Sequence, residues 1–154
     1  ALMHHDEIIL GVSNAPIFEE IIFAEKGKGA WMNNKQMHIS NTKDIVSSTI
    51  STGNLKTIAQ SENWMNLGKI VSKADRIRGY GDFYHYHLLA LGKIDVVIES
   101  DVNILDVAAL SLIIEESGGV FTDFQGESPN LDTTSVIASN PILYSSIKKE
   151  LIGN

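Results

Sequence analysis

The pattern of apolar residues changes near Ser47, and this change constrains the fold more than any other feature of the sequence. Before it, short apolar runs at 7–12, 20–24, 30–32 and 36–39 are separated by turns rich in Gly and Asn. Such runs predict short strands that pair antiparallel. After it, strand-like and helix-like stretches alternate, which predicts an α/β arrangement.

In the second part, strands are predicted at 48–51, 76–78, 94–99, 120–124 and 135–138, and helices at 55–73, 82–91, 105–117 and 142–152. The apolar run at 94–99, broken only by Asp95, is typical of a strand that is buried on both faces. We therefore predict antiparallel strands followed by a βαβαβ-like unit. The predicted boundary leaves residues 1–46 as an antiparallel layer, which is too small to fold alone, and 47–154 as an α/β subdomain.

Charge and length narrow the class of protein. The chain of 154 residues has 12 Lys and Arg against 19 Asp and Glu, a formal net charge of −7, and no run of basic residues. An acidic chain of this kind is a poor candidate for binding nucleic acid or an anionic membrane through its whole surface. The length and the 44% of hydrophobic residues predict one globular domain with a hydrophobic core.

The absence of cysteine excludes a thiol nucleophile, a disulfide framework and a Cys-ligated metal. No export signal or membrane-length apolar run precedes the first strand, and we expect a cytoplasmic location. The sequence begins Ala1-Leu2-Met3 and reaches a strand almost at once. This start predicts that a longer protein continues upstream.

Two carboxylates are placed for ligand binding. Glu99 stands at the carboxyl end of the buried strand, and Asp106 stands at the start of the next helix. Ligands of open α/β sheets bind at that edge, and two carboxylates there suit Mg²⁺ and a substrate hydroxyl. The alternative is that Asp106 is an ordinary acidic residue of a first helical turn, which favours the helix dipole.

A second candidate lies between a strand and a helix, where Arg78 is followed by Gly-Tyr-Gly-Asp-Phe at 79–83. The free backbone N–H groups of a helix start favour anions and polar oxygens. The alternative is a plain turn that needs Gly for its backbone angles and Asp82 as a cap. Both interpretations remain open at this point.

Other residues favour structural roles. His85 and His87 are two positions apart on a predicted helix, so they face different directions and cannot share one metal ion. Residues 26–29 (Lys-Gly-Lys-Gly) lack the spacing of a phosphate-binding loop and predict a turn. Trp31 and Trp64 are interpreted as packing residues and His38 as a surface strand residue. His4 and His5 are expected to lie in a frayed start of the chain.

Taken together, the motifs resemble the inositol monophosphatase family of Mg²⁺-dependent phosphomonoesterases, from about residue 11 to 152. The resemblance rests on the order and spacing of Gly-Val-Ser-Asn-Ala-Pro at 11–16, Ala-Glu-Lys-Gly-Lys-Gly-Ala-Trp at 24–31, Arg-Gly-Tyr-Gly-Asp at 78–82, Ala-Leu-Gly-Lys-Ile-Asp at 90–95, Leu-Asp-Val-Ala-Ala at 105–109, Glu-Glu-Ser-Gly-Gly at 115–119 and Thr-Asp-Phe-Gln-Gly at 122–126. The aromatic residues at 80–86 are most similar to the histidinol-phosphate phosphatases. The implied fold is the C-terminal part of a layered αβαβα sandwich.

The resemblance implies roles for individual residues. Asp106 matches the metal-binding Asp of a Trp-Asp pair, although Leu105 stands here in place of Trp. Glu99 matches a Glu that contacts a substrate hydroxyl or amine. Gly81, Asp82 and Phe83, with Arg78 before them, match a loop that lines the substrate pocket. No catalytic residue is assigned, and family members are often dimers, which implies a homodimer.

One departure from the family pattern limits the expected activity. Members carry an upstream Glu and an Asp-Pro-x-Asp-Gly-Thr motif that supply most metal ligands, and neither occurs in this sequence. Metal-assisted phosphoryl transfer depends on positioning and charge neutralisation. We therefore expect the chain alone to be inactive or nearly so. The second hypothesis is a non-catalytic module that pairs with itself or with a paralogue. The third is an unrelated protein that binds a sugar or a nucleotide on a doubly wound sheet.

Overall fold

The computed structural model describes residues 1–153, which form two five-stranded sheets and five α-helices. The strands of the first sheet are Leu2–His4 (β1), Glu7–Ala15 (β2), Glu20–Glu25 (β3), Ala30–Met32 (β4) and Lys35–Gln36 (β5). Those of the second sheet are Thr49–Gly53 (β6), Arg76–Arg78 (β7), Val96–Ser100 (β8), Val120–Thr122 (β9) and Ser135–Ser139 (β10). The helices are Leu55–Ala59 (α1), Asn63–Lys73 (α2), Asp82–Ala90 (α3), Ile104–Glu116 (α4) and Pro141–Ile152 (α5).

The first sheet is an antiparallel meander in the order β1-β2-β3-β4-β5. Two of its turns are two-residue hairpins in which both residues have positive φ: His5 and Asp6, and Asn33 and Asn34. This geometry matches the right-handed twist of paired strands, and Asn and Asp adopt it more readily than most residues do. The antiparallel pairing expected for this region is confirmed.

The second sheet is mixed, in the order β7-β6-β8-β10-β9. Strands β7, β6 and β8 are parallel, whereas β10 runs antiparallel to both β8 and β9. A βαβαβ-like unit therefore describes only its first three strands. The apolar pattern of β9 and β10 predicted strands but contained no information on their direction.

Three local predictions were wrong. The stretch 55–73 is two helices, because Ser61 accepts a hydrogen bond from the backbone N–H of Asn63 and donates one to the carbonyl of Ile58. The strand predicted at 36–39 ends at Gln36. The first residues form the hairpin strand β1 instead of a frayed start.

Helices α3 and α4 lie between the two sheets, and α1, α2 and α5 cover the other face of the second sheet. Helix α4 is buried on most sides and contacts β2, β3, β4 and β9. Its close approach to β2 depends on Gly11, where an added Cβ would lie 2.5 Å from the carbonyl oxygen of Ala109. The parallel strands thus end at one edge of the second sheet, beside the starts of α3 and α4.

Among residues 1–153, no helix is long and apolar enough to cross a membrane.

The C-terminal end of α4 is held to the first sheet by Glu116, whose carboxylate accepts hydrogen bonds from the N–H groups of Gly27 and Gly29, both at 2.7 Å. The Lys-Gly-Lys-Gly segment is therefore a turn held by a carboxylate, as predicted, and not a phosphate loop.

Candidate active site

A cavity of about 330 Å³ opens at the carboxyl edge of the parallel strands. Four of its lining residues are acidic, two are aromatic and none is Lys, Arg or His. The lining comprises Asn54, Asp82, Phe83, Tyr86, Glu99, Asp101, Val102, Asp106 and Val107. The structure therefore brings Asp82, Phe83, Glu99 and Asp106, which were singled out from the sequence, to one place.

Two other candidates from the sequence do not line the cavity. Arg78 is exposed, and its guanidinium donates to the carbonyl of Ile77 at 2.9 Å. Gly81 has a φ of 66° and forms the turn that directs Asp82 and Phe83 to the cavity. No side chain caps the start of α3, so Asp82 does not have the capping role considered above.

Asp106 stands in the first turn of α4 as part of a capping box. Its Oδ2 accepts hydrogen bonds from the backbone N–H of Asn103 at 3.0 Å and from its side-chain amide at 2.6 Å. Its Oδ1 has no such partner among residues 1–153, and Asp106 is an exposed residue of the cavity lining. The helical role and a ligand role are thus compatible. Leu105, in the Trp position, is 91% exposed and packs against nothing here.

Glu99 is 4% exposed at the end of β8 and is held through one of its two oxygens. Oε2 accepts a hydrogen bond from the hydroxyl of Tyr86 at 2.7 Å and lies 3.0 Å from Nε2 of His85. Oε1 has no hydrogen-bond partner among residues 1–153 and lies over Gly53, where an added Cβ would be 2.2 Å away. One oxygen is fixed by the protein and the other is left for a ligand.

The sequence pattern did not single out Tyr86, and it predicted only a structural role for His85. Both are buried on α3, at the face that contacts Glu99. His87, two residues after His85, contacts Ser13 at 2.7 Å and Glu20 at 3.5 Å instead. The prediction that the two histidines face different directions is confirmed. The sequence signal was a run of polar aromatic side chains in a predicted helix, and that run alone does not show that they face Glu99.

Tyr86 gives a measurable signature of this arrangement. Burial, and then the negative charge of Glu99, raise the pKa of its hydroxyl well above the ordinary value of 10.0. The folded state thus keeps a proton that the unfolded chain releases. Its contribution to stability is complete below the unfolded pKa and is lost as pH rises above about 10.

We expect Tyr86→Phe to lower the free energy of unfolding by about 1.5–3 kcal/mol at neutral pH, because a hydrogen bond to a carboxylate is lost. The difference between the two proteins should shrink as pH rises above about 10. Urea titrations at a series of pH values measure it. If the difference in unfolding free energy between the two proteins stays constant through the alkaline range, the hydrogen bond assigned between Tyr86 and Glu99 is contradicted.

The carboxylates of the cavity do not make a complete Mg²⁺ site. No group of three or more His, Asp or Glu side chains within residues 1–153 is arranged to hold a metal ion. The other oxygens of both residues are held by the protein, so Glu99 offers only Oε1 and Asp106 only Oδ1. Since Mg²⁺ keeps its waters unless several oxygen ligands replace them, these residues by themselves would hold Mg²⁺ weakly.

The geometry defines a class: a layered α/β protein with an acidic ligand cavity at the carboxyl edge of its mixed sheet. The comparisons with known proteins agree with this class. Residues 1–153 match the model of the inositol monophosphatase family, and the chain belongs to that family of Mg²⁺-dependent phosphatases. The family and fold inferred from the motifs are confirmed.

The chain is similar to several members of the family. It is 28% identical to a fructose-1,6-bisphosphatase/inositol-1-monophosphatase of Thermotoga maritima, over 97% of this chain and 57% of that protein. It is 29% identical to a histidinol-phosphatase of Chlorobaculum parvum, over 85% of this chain and 51% of that protein. The chain thus spans a little over half the length of these curated relatives.

Solved structures show the same fold. The extragenic suppressor protein SuhB of Bartonella henselae superimposes with a TM-score of 0.87 at 26% identity, covering 95% of this chain and 58% of that one. An inositol monophosphatase of Zymomonas mobilis superimposes with a TM-score of 0.86 at 27% identity, covering 94% and 57%.

Proposed function

We propose that this chain forms the substrate-binding half of a phosphomonoesterase site for a small phosphorylated amino alcohol, with histidinol phosphate ahead of inositol monophosphate. The observation that carries the proposal is the composition of the cavity, with four carboxylates and no basic residue in its lining. Such a lining attracts a cationic amine and gives a neutral polyol no comparable charge pairing. The chain is almost equally similar to a histidinol-phosphatase and to an inositol-1-monophosphatase, so the charge of the cavity carries the choice.

In this proposal, the open oxygen of Glu99 accepts a hydrogen bond from an N–H or O–H group of the substrate, and Asp82 and Phe83 line the same cavity. Asp106 is proposed as one ligand of the family's Mg²⁺ through Oδ1, since Oδ2 is held by Asn103. Because residues 1–153 hold no complete ligand set, we propose that the chain alone does not hydrolyse substrate. Gly81 and Arg78 are proposed to shape the loop instead of contacting the cavity wall.

Titration of the chain with histidinol and with inositol, followed by NMR, tests the choice of ligand. We expect histidinol to shift the signals of the cavity residues and inositol to leave them unchanged. Glu99→Gln should weaken histidinol binding by about ten-fold, because a charge-assisted hydrogen bond becomes a neutral one. Glu62→Gln makes the same charge change at an exposed site outside the cavity and should have no effect. Equal binding of the two ligands, or of neither, contradicts the proposal.

A non-catalytic role through self-association is the second candidate, and an apolar surface favours it. Val12, Phe23 and Trp31 are directly opposite one another on β2, β3 and β4, on the face of the first sheet away from α4. Val12 and the neighbouring Ile21 are both nearly half exposed. An exposed apolar sheet face of this kind favours association with a second copy of the chain.

Light scattering tests this candidate. A homodimer that Val12→Lys converts to monomer supports it. A monomeric wild-type chain at the same concentration contradicts it.

A further inference from the structure

A hydrogen-bonded chain of buried groups connects Glu99 with the loop before α3. The backbone N–H of Tyr80 donates to Oγ of Ser51 at 3.3 Å, and Oγ of Ser51 lies 3.3 Å from Nδ1 of His85. Nε2 of His85 lies 3.0 Å from Oε2 of Glu99. Ser51 and His85 are completely buried, so this chain of contacts is shielded from solvent.

The partners fix which ring nitrogen of His85 carries the proton. Oε2 of Glu99 accepts from Tyr86, so its neighbour Nε2 must be a donor. In the neutral imidazole, Nδ1 is then an acceptor, and it accepts a hydrogen bond from the hydroxyl of Ser51. The oxygen of Ser51 in turn accepts from Tyr80. Every hydrogen-bond donor in this series, from the N–H of Tyr80 to Nε2 of His85, therefore has an acceptor.

This arrangement restricts the carboxylate to one rotamer. Tyr86 and His85 hold Oε2 from α3, and Gly53 of β6 lies close to Oε1, where an added Cβ would be 2.2 Å away. Without the imidazole, Tyr86 alone remains on Oε2, and the carboxylate can turn about that single contact. Burial of polar groups in a fully satisfied network favours one fixed geometry.

We propose that His85 is a positioning residue, which holds Glu99 in the orientation that receives the substrate's amine or hydroxyl and couples it through Ser51 to the Tyr80 loop. The proposal rests on the proposed function, because it assigns Glu99 to ligand binding. His85 does not line the cavity and is given no contact with the ligand. Its effect on binding passes through Glu99.

Histidinol affinity in three variants tests the coupling. We expect His85→Leu to lower the affinity by about ten-fold, the size of one lost hydrogen bond to a charged group. His85→Gln keeps an N–H donor for Glu99 and should recover most of the affinity. His87→Leu removes the other buried histidine of α3, which contacts Ser13 and Glu20, and should leave the affinity unchanged. Equal losses in His85→Leu and His87→Leu, or no recovery in His85→Gln, overturn the proposal.

The ¹⁵N NMR signals of the imidazole give a readout that needs no ligand. We expect a protonated Nε2 and a bare Nδ1 both in the wild-type chain and in Ser51→Ala, because Oε2 of Glu99 requires a donor in both proteins. The Nδ1 signal should shift in Ser51→Ala, where the hydroxyl that donates to it is lost. A wild-type ring protonated on Nδ1 alone overturns the proposal. If the wild-type chain binds no histidinol, the proposed function fails, and the tautomer measurement still decides whether His85 is held as inferred.

Discussion

We expect Gly11→Ala to cost about 3 kcal/mol of unfolding free energy, near the upper end of the usual range for overpacking. Gly11 is buried on β2, and an added Cβ would lie 2.5 Å from the carbonyl oxygen of Ala109 and 3.2 Å from its carbonyl carbon and Cα. All three are backbone atoms of α4, so no side chain can rotate away. The clash can be relieved only if α4 moves away from the first sheet.

Gly68→Ala is the matched control, with the opposite expected sign. Gly68 is an exposed residue within α2, and an added Cβ would meet no atom within 4 Å. Replacing an exposed helical glycine by alanine should stabilise the protein by about 0.5–1 kcal/mol. Thermal and urea unfolding of both variants measure the two effects. Similar stability changes in the two proteins contradict the close contact between β2 and α4.

The second large effect is expected at Gly53, which lies beside Oε1 of Glu99. An added Cβ would lie 2.2 Å from Oε1 of Glu99 and 2.9 Å from its carboxyl carbon. The carboxylate cannot retreat without breaking its contacts with Tyr86 and His85. We therefore expect Gly53→Ala to weaken histidinol binding by at least about ten-fold, because the open oxygen is displaced.

Gly79→Ala provides the comparison, since Gly79 follows the neighbouring strand β7. There the nearest atom to an added Cβ is the carbonyl oxygen of Thr52 at 3.6 Å, an ordinary contact. We expect binding within about two-fold of the wild-type chain, which corresponds to less than about 0.5 kcal/mol. NMR titration with histidinol measures both variants. Unchanged binding in Gly53→Ala contradicts the assignment of Glu99 to the ligand.

The parts of the fold that sequence predicted are those set by local chemistry. The Asn33-Asn34 hairpin follows from two residues that tolerate positive φ, and the start of α5 follows from Asn140, which accepts hydrogen bonds from Ile142 and Leu143. The break between α1 and α2 was also locally encoded, in Ser61, but helical periodicity on both sides concealed it.

The parts that sequence did not predict depend on contacts between distant segments. The antiparallel direction of β10 depends on its pairing with β8, and a buried apolar run carries no sign of direction. The Ser51–His85–Glu99 contacts join three separate elements, so no spacing within α3 revealed them. In the site, Glu99 and Asp106 were found because strand ends and helix starts meet at one sheet edge, a rule that needs only element order.

Phosphate release by this chain tests the central claim most directly. The substrates are histidinol phosphate and inositol 1-phosphate, each with and without Mg²⁺, and Asp106→Asn is the control. We expect histidinol to bind the same preparation while no phosphate is released above the blank, because residues 1–153 hold a ligand cavity and no complete metal site. Release that requires Mg²⁺ and disappears in Asp106→Asn would contradict the account.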